Sequence, residues 1–439
     1  MAFEKRKHKR VKVRRATDDD VKKTKKTKND TERIVMKRKD RKPKKSEQKS
    51  DNSSATKKES SKFRIIEGGL IRNAKRRTQS IIIAAVTVII IATVIAANAI
   101  LPTGLVEWSQ NVFSAMGSDG GLPKALSGDK VDDLRSRGNE LFVMSDSYMY
   151  AYNTDGKCIT TVQHGYNSPR LETSFTRTLI YDRGSYGLRV DSLYTNYINT
   201  QLDKKIITAD ICDKGYVAVA TDSTEYSAEV TVYDSKFKSL FRWSAASGQV
   251  STLKLSPNGK YLAASVVSGK NGDYSSMVSI FEIKTGSKLF TKVYDGSMFV
   301  KSSSDRDFVT FVGIDECVSI GWDGLNERVN DFYRLEYFDA TLTNCMAAVY
   351  HPDGDDRHYT VAVLDSNGAV KASVVLQGNV ARVSADENYI YTYDAGVVNK
   401  YDLSGNMIST HQIGYEYVFM TNHKKGIGLT YDMKLDFIS

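Results

Sequence analysis

Residues 351–358 form the densest run of side chains that can ligate a metal ion. The run reads HPDGDDRH and offers carboxylate and imidazole groups at His351, Asp353, Asp355, Asp356 and His358. Carboxylate oxygens and imidazole nitrogens are common ligands of divalent cations. The spacing is not that of an EF-hand, because no Glu stands at the twelfth position of the loop. The sequence therefore marks a candidate metal site here, with a solvated hairpin tip as the alternative.

Signatures of known catalytic machinery are absent from the sequence. The chain contains no G-x-S-x-G, H-E-x-x-H or G-x-x-x-x-G-K-[ST] pattern. Its cysteines are isolated, without a C-x-x-C pair, and are expected to be buried in four different repeats: Cys158, Cys212, Cys317 and Cys345. The 41 acidic side chains after residue 78 offer too many candidates for a glycosidase pair to be selected. We therefore expect no catalytic residues and no cofactor.

Tyrosine is concentrated in one part of the chain, in a pattern typical of β-strands. All 25 tyrosines lie between Tyr148 and Tyr431. Tyr389, Tyr391 and Tyr393 alternate with other residues, so their rings share one face of a strand. Such stripes either pack between sheets or stack on sugars and peptides. No segment after Met116 shows a sustained apolar helical period, which also favours strands.

The strands recur in repeats of about 40 residues. The clearest repeat, Gln249 to Ser297, holds four strands, with turn signals at 257–259 and 284–286. The pattern recurs at 206–248 and 379–414, and we place the first strands of the repeats near residues 130, 170, 206, 249, 298, 335, 379 and 415. Four strands per repeat of this length is the pattern of a propeller blade. The sequence predicts an all-β fold, a β-propeller.

The eighth repeat lacks an outer strand at the C-terminal end of the sequence. Residues 416–439 supply only three strands. A propeller closes its ring, and natural sheets avoid open edges. The segment Gly121–Ser127 precedes the first repeat and contains Pro123, which suits an outermost strand because it has no amide hydrogen. We predict eight blades closed by this segment, with seven blades and a C-terminal extension as the alternative.

The first 78 residues differ in composition from the rest. They hold 30 of the 62 Lys and Arg residues and 11 of the 52 Asp and Glu residues, so their net charge is +19 against −9 for the remainder. High charge with few apolar side chains predicts disorder. We interpret residues 1–78 as a basic cytoplasmic tail that binds anionic lipids. A specific partner for the tail is the alternative; nucleic acid is not expected, because an apolar segment follows.

That segment, residues 80–101, is uncharged and reads SIIIAAVTVIIIATVIAANAIL. A helix across a hydrocarbon core of about 30 Å needs about 20 such residues. The positive-inside rule then places the N-terminus in the cytoplasm. The residues behind this assignment are Lys75, Arg76 and Arg77 for orientation and Ser80, Ile81, Ile91 and Leu101 for the anchor. Signal-peptidase cleavage at Ala97-Asn98-Ala99 is the alternative, although the tail and the apolar core are longer than those of a signal peptide.

The sequence thus divides into four parts. Residues 1–78 are the tail, 79–101 the transmembrane helix, 102–120 a linker, and 121–439 a propeller outside the plasma membrane. In the linker, Leu105, Trp108, Val112 and Met116 recur at helical spacing, and Trp108 is placed for the lipid headgroup region. The glycines of 117–121 predict a flexible joint before the propeller.

The repeats resemble those of WD-repeat and quinoprotein-like propellers. The organisation of residues 75–439, with a basic tail, one helix and a propeller that opens with GLPKALSG, resembles a clostridial single-pass membrane-protein family of unknown function. Quinoprotein propellers carry an A-x-D-x-x-T-G-x-x-x-W docking repeat. Residues 281–290 keep its Thr-Gly turn but have no Trp, and no GH…WD pair recurs. The resemblance implies the fold and a membrane location, and the departure from the docking repeat argues against a quinone cofactor.

These observations favour a membrane-anchored binding or scaffold module without enzymatic activity. A propeller displays many loops on a rigid disc, and the chain shows no catalytic set. The expected partners are the membrane and a protein or cell-envelope ligand of the propeller. One alternative is a hydrolase or lyase of cell-envelope polymers, which a bound metal or a buried carboxylate pair in the channel would favour. The other is a receptor that signals through the tail.

Overall fold

Two helices precede a large all-β domain. The computed structural model describes residues 69–439 except 102, 128–129, 342–343, 356, 377, 415–417 and 424. The predicted disordered tail, up to residue 68, lies outside the described residues. Helix α1 runs over Gly69–Ile100 and helix α2 over Leu105–Ala115. The sequence predicts both helices, although α1 begins before the expected start at residue 79.

Helix α1 carries the apolar segment. Its residues Thr78–Ala97 number 20, have a mean hydropathy of 2.8 and are not buried against the rest of the protein. The hydroxyls of Thr87 and Thr93 donate to backbone carbonyls one turn earlier, at 2.8 and 2.7 Å. The polar groups of these side chains are therefore satisfied within the helix, as a span in lipid requires. The helix is consistent with a single-pass anchor.

The β domain begins with a short strand, β1 (Lys124–Ala125). Blade 1 contains β2 (Val131–Arg137), β3 (Glu140–Ser145), β4 (Tyr148–Asn153) and β5 (Cys158–Gln163). Blade 2 contains β6 (Pro169–Thr173), β7 (Thr178–Asp182), β8 (Gly187–Asp191) and β9 (Asn196–Gln201). Blade 3 contains β10 (Ile206–Ile211), β11 (Val217–Thr221), β12 (Ala228–Tyr233) and β13 (Ser239–Ala245). Blade 4 contains β14 (Gln249–Leu255), β15 (Tyr261–Lys270), β16 (Asp273–Glu282) and β17 (Lys288–Asp295).

The second half of the ring repeats this order. Blade 5 contains β18 (Lys301–Ser304), β19 (Phe308–Val312), β20 (Glu316–Gly321) and β21 (Glu327–Asp331). Blade 6 contains β22 (Leu335–Asp339), β23 (Met346–Tyr350), β24 (Tyr359–Leu364) and β25 (Val370–Leu376). Blade 7 contains β26 (Arg382–Ala385), β27 (Tyr389–Asp394), β28 (Val397–Asp402) and β29 (Met407–Gln412). Blade 8 contains β30 (Phe419–His423), β31 (Gly426–Tyr431) and β32 (Lys434–Ile438), completed by β1. The first strands begin close to their predicted positions.

The ring closes as the sequence predicts. Strand β1 pairs antiparallel with β32, with Lys124 opposite Leu435 and Ala125 opposite Lys434. The amide of Leu126 donates to the carbonyl of Met433 at 2.8 Å. Leu122 and Leu126 pack with Leu435 in the cluster between blades 8 and 1. The eight-blade prediction is therefore confirmed, although the paired strand is shorter than 121–127.

The hydrophobic core consists of separate clusters between adjacent blades. In the described part of the chain, each neighbouring pair of blades, including blades 8 and 1, shares one such cluster. Second strands are mostly buried, as in β7, whereas outer strands such as β9 are mostly exposed. The tyrosine stripe belongs to this packing, because Tyr391 and Tyr393 are buried between blades 7 and 8. Apolar burial between sheets thus holds the ring together.

The turns of the blades lie on two opposite faces of the ring. Because strand direction alternates, the first and third turns of a blade lie at one end of its sheet and the second turn at the other. Asn111 of α2 bonds the first turn of blade 2 at Thr176 and its third turn at Leu193. We call this the proximal face. The distal face carries the second turns and the connections between blades.

The glycine segment between α2 and β1 contacts the third turn of blade 1. Asn153 donates through Nδ2 to the carbonyl of Gly117 at 2.6 Å, and Ser118 donates to the carbonyl of Asp155 at 3.2 Å. These hydrogen bonds hold the predicted flexible joint, residues 117–121, against blade 1.

The four cysteines are free thiols. Three are buried, as predicted: Cys212, Cys317 and Cys345. The prediction is wrong for Cys158, which is exposed because it begins the outer strand β5, where no further blade strand covers it.

Candidate functional site

A cavity of about 590 Å³ opens on the distal face at blades 4, 5 and 6. Its wall consists of the connections between these blades, at residues 295–298 and 331–333, and of their second turns, at 314–316 and 350–353. We call it the distal pocket. These segments meet because every one of them lies at the distal end of a strand.

The distal pocket is acidic and aromatic. Its lining residues include the carboxylates Asp295, Asp315, Glu316, Asp331 and Asp353, and they include no Lys or Arg. Aromatic rings complete the wall: Phe332, Tyr333 and Tyr350. Carboxylates attract a cation, and the face of an aromatic ring adds a cation–π contribution. The pocket therefore has the chemistry of a site for an amine, ammonium or guanidinium group.

Glu316 is the deepest of these carboxylates. Its Oε1 atom is buried and has no hydrogen-bond partner among the described residues. Burial raises the pKa of Glu316; a hydrogen bond from Ser297 opposes this rise, and the nearby carboxylates of Asp331 and Asp315 add to it. Burial and these carboxylates disfavour the bare anion, so a ligand cation would relieve an existing electrostatic cost.

The predicted metal ligands lie in the second turn of blade 6, at the rim of this pocket. His351 is buried; its Nδ1 atom lies 3.1 Å from the carbonyl oxygen of His358, and its Nε2 atom lies 3.4 Å from a carboxylate oxygen of Glu336. His358 Nδ1 lies 2.6 Å from Oδ2 of Asp355. These ring nitrogens are thus engaged by protein groups.

Two candidates remain, Asp353 and Asp356. Asp353 lines the pocket with His351, whereas Asp356 lies outside the described residues. Within the described part of the chain, no three His, Cys, Asp or Glu side chains are grouped so that they can hold a metal ion. A metal site at residues 351–358 stays a prediction from the sequence.

Charged side chains from four blades meet in the central channel, a cavity of about 680 Å³. The ammonium group of Lys254 lies 2.6 Å from Oδ1 of Asp210 and 3.3 Å from Oε2 of Glu172. Arg135 lies 3.9 Å from the other oxygen of Glu172, and the amide of Leu255 donates to Asp210 at 2.7 Å. The network links the first strands of blades 1 to 4.

The two channel carboxylates differ in acidity. Burial raises the pKa of Asp210 to about 6. Burial opposes ionisation of Glu172 as well, but the charges of Lys254 and Arg135 lower its pKa. A carboxyl group with a raised pKa beside an ionised carboxylate is an arrangement used in general acid catalysis. Structural ion-pair networks produce the same shifts, so the channel is the second candidate site.

Sequence reasoning singled out only His351 and Asp353 of the pocket, as metal candidates, and missed the rest of both sites because their residues come from separate repeats. The channel left one local signal, which is an ionisable residue inside an apolar first strand: Asp210 between Ala209 and Ile211, and Lys254 between Leu253 and Leu255. The pocket left a weaker signal, in that acidic residues recur at the distal ends of blades 4, 5 and 6.

Comparison with protein families supports the β domain as a unit. A model described as a family of unknown function, DUF5711, matches residues 125–439. The chain belongs to this family. The match starts within β1 and runs through β32, so it includes both of the strands whose pairing closes the DUF5711 propeller. No curated protein matches the DUF5711 chain.

Several solved structures are similar to the chain, and the first of them supports the fold. The DUF5711 chain is similar to the computationally designed protein Ika8, with a TM-score of 0.52 and 14% identity over 72% of this chain and 98% of Ika8. BamB from Moraxella catarrhalis has a TM-score of 0.47 and 11% identity, over 72% of this chain and 98% of BamB. The β-propeller domain of Cps50 (Swd1) from Myceliophteria thermophila has values of 0.45 and 11%, over 66% and 99%. At such identities, likeness concerns the fold and not the activity.

Proposed function

We propose that the DUF5711 chain is a non-enzymatic binding module, anchored in the plasma membrane by α1 with the propeller outside the cell. Its distal pocket receives a cationic group of a protein or cell-envelope ligand. The observation that carries this proposal is the pocket itself, which combines five carboxylates with three aromatic rings and has no lining cation. The basic residues before α1 support a cytoplasmic N-terminus, and the tail binds anionic lipids.

The geometry favours an organic cation. A cavity of about 590 Å³ is far larger than a single metal ion, and aromatic walls attract alkylammonium and guanidinium groups. At an effective dielectric constant near 20, one ion pair at 4 Å contributes about 4 kcal/mol before desolvation is subtracted. A lysine- or arginine-bearing segment, or an amine of an envelope polymer, has the required chemistry.

Crosslinking in intact cells tests the proposed site. A photo-crosslinking residue at Tyr333, in the pocket wall, should capture the ligand, and purification of the full chain should recover it. The double variant Asp331→Asn/Asp353→Asn should reduce capture about tenfold, which corresponds to a loss of about 1.4 kcal/mol. The matched control is Asp203→Asn/Glu225→Gln, which removes two exposed charges of the distal face outside the pocket. Equal capture by both variants would contradict the proposed site.

Cysteine labelling tests the proposed topology. In a Cys158→Ser background, a maleimide that cannot cross membranes should label Glu225→Cys on intact cells and should not label Ser50→Cys. Position 225 is exposed on the distal face, and residue 50 precedes α1. Labelling at position 50 alone would reverse the orientation.

The channel supports one other function, because the half-buried Glu172 and the buried Asp210 both contact Lys254, and a pair of carboxylates is what a hydrolase or lyase of envelope polymers requires. The test is release of soluble fragments when the full chain in detergent is incubated with isolated cell envelopes. Fragments that disappear with Glu172→Gln, in a variant that keeps its circular dichroism spectrum, would establish the enzyme. Absence of fragments would leave Lys254, Glu172 and Asp210 as a structural network.

A further inference from the structure

Helix α2 stays close to the end of α1. Only residues 101–104 separate the two helices. Backbone hydrogen bonds run through this break, from the amide of Leu101 to Ala97 at 2.9 Å, from Gly104 to Leu101 at 3.2 Å and from Trp108 to Gly104 at 3.2 Å. If α1 spans a membrane, α2 therefore begins at the membrane surface.

The polarity of α2 is inverted relative to a helix that packs on a soluble protein. The side facing the propeller is polar, because Glu107 and Asn111, one turn apart, are 7% and 6% exposed. The side facing away is apolar, because Val106, Val112 and Phe113 are 66%, 40% and 72% exposed. A surface helix in water normally buries its apolar stripe and exposes its charges.

The polar side of α2 is fully engaged by blade 2. Arg177 donates to both carboxylate oxygens of Glu107, at 2.9 and 2.8 Å, and Thr176 donates to Glu107 at 2.6 Å. Asn111 accepts from the amide of Leu193 at 3.1 Å. Burial opposes ionisation of Glu107, but the hydrogen bonds from Arg177 and Thr176 lower its pKa. This side fixes α2 to the proximal face and leaves the apolar side for another partner.

We infer that this partner is the outer surface of the membrane, with the apolar side of α2 in the headgroup region and the proximal face of the propeller seated on the lipid. The inference rests on the anchor in the proposed function. Continuity with α1 brings the apolar side to the bilayer, where burial in the interface removes it from water. Phe175 and Tyr194, exposed in the first and third turns of blade 2, extend the apolar surface beside α2.

Charge complementarity supports the same partner. Exposed lysines lie in the proximal turns of blade 3, which is next to blade 2, and of blade 4, which follows it: Lys214, Lys236, Lys238, Lys260 and Lys284. Lysines close to an anionic bilayer are attracted to its surface. Seating the proximal face on lipid directs the distal pocket away from the membrane, toward ligands in the cell envelope or outside the cell.

Fluorescence quenching by spin-labelled lipids tests the seating. The full chain, in a Cys158→Ser background, is reconstituted into vesicles of equal parts phosphatidylcholine and phosphatidylglycerol, and one fluorophore is attached at Ile89→Cys, Phe113→Cys or Glu225→Cys. We expect quenching at 89 by a deep label, at 113 by a shallow label, and none at 225.

Each other outcome has a defined meaning. Quenching at 89 without quenching at 113 would overturn the seating and leave the anchor intact. Absence of quenching at 89 would overturn the anchor, and with it the proposed function. Quenching at 113 that appears only on dilution of protein into excess lipid would identify a second copy of the chain as the occupant and would overturn the inference.

A fourth label tests whether the Glu107–Arg177 pair seats the propeller. A fluorophore at Tyr194→Cys should be quenched by the shallow label in the otherwise unchanged chain. In Glu107→Ala this quenching should fall at least severalfold, while quenching at 113 persists because α2 keeps its own apolar side. Undiminished quenching at 194 in Glu107→Ala would show that other contacts orient the disc.

Discussion

The proximal and distal faces of the propeller use charged residues in opposite ways. On the proximal face, Glu107 and Arg177 are buried but satisfy each other with two hydrogen bonds. On the distal face, Glu316 has a buried oxygen without a partner and lies beside Asp315 and Asp331. A satisfied buried pair holds two elements together, whereas an unsatisfied buried acceptor costs stability that a ligand can restore. The contrast supports our proposals that the proximal face attaches the disc and that the distal face binds.

The largest effect is expected on the proximal face. In Glu107→Ala, Arg177 remains buried without its counterion, and breaking a buried ion pair in this way costs roughly 3 to 5 kcal/mol. The free energy that stabilises α2 in its docked position on blade 2 should therefore fall by this amount. Urea unfolding of the full chain in detergent, followed by the fluorescence of the adjacent Trp108, measures the loss.

Two further variants separate the ion pair from a general loss of charge. Glu107→Ala/Arg177→Met should recover most of the loss, because it removes the buried unpaired guanidinium. Glu225→Ala, at an exposed position of the distal face, should stay within about 0.5 kcal/mol of the parent protein. A loss in Glu107→Ala as small as that in Glu225→Ala would remove the basis for an attaching face.

The arrangement of both faces also depends on closure of the ring, and the second largest effect is expected there. Leu435 lies opposite Lys124 in the closing strand pair and is fully buried against Leu122 and Leu126. Leu435→Ala should lower the free energy of unfolding by roughly 2 to 5 kcal/mol, the range for a buried leucine. Leu289→Ala, on the exposed outer strand of blade 4, is the control and should change it little. Similar losses in both variants would mean that closure contributes nothing specific.

A pair of glycines compares the two faces at matched backbone geometry. Gly156 is in the third turn of blade 1 with φ +78°, and a Cβ there would collide with the carbonyl of Gly121 in the glycine segment before β1. Gly184 is in the distal turn of blade 2 with φ +80°, and no atom lies within 4 Å of an added Cβ. Both alanine variants should lose about 1 kcal/mol from the left-handed conformation. Gly156→Ala should lose a further 1 to 3 kcal/mol or so from the collision. Equal decreases in the melting temperature of the two variants would show that the glycine segment before β1 does not pack against blade 1.

The blades and their closure were predictable because their signals are local. Strand alternation, turn residues such as Asn153 and Asp402, and the missing strand of the last repeat are all visible along the chain. The apolar spacing of α2 was visible as well, but the burial of Glu107 and Asn111 was not, because their partners lie in blade 2. The residues of the pocket and of the channel show no characteristic spacing along the sequence, because they come from different blades and only the closed ring brings them together.

The smallest predicted effect concerns Glu316 and depends on pH. Burial raises the pKa of Glu316 in the folded protein, so the folded state binds this proton more tightly than the unfolded chain does. The resulting stabilisation is complete below the unfolded pKa of about 4.3 and is lost as the pH rises through the folded pKa. Glu316→Gln imitates the protonated side chain and should abolish this loss.

The variant should therefore match the parent protein near pH 4 and exceed it in stability at pH 7. Because Glu316 is partly exposed and its charge is screened by solvent, a gain of roughly 0.5 kcal/mol or less is expected. Urea unfolding at the two pH values measures it, with Glu225→Gln on the same face as the control for loss of one surface charge. A Glu316→Gln variant that is less stable than the parent at pH 7 would show that the ionised carboxylate already has a favourable partner. The distal pocket would then resemble the proximal ion pair, and the contrast between an attaching face and a binding face would fail.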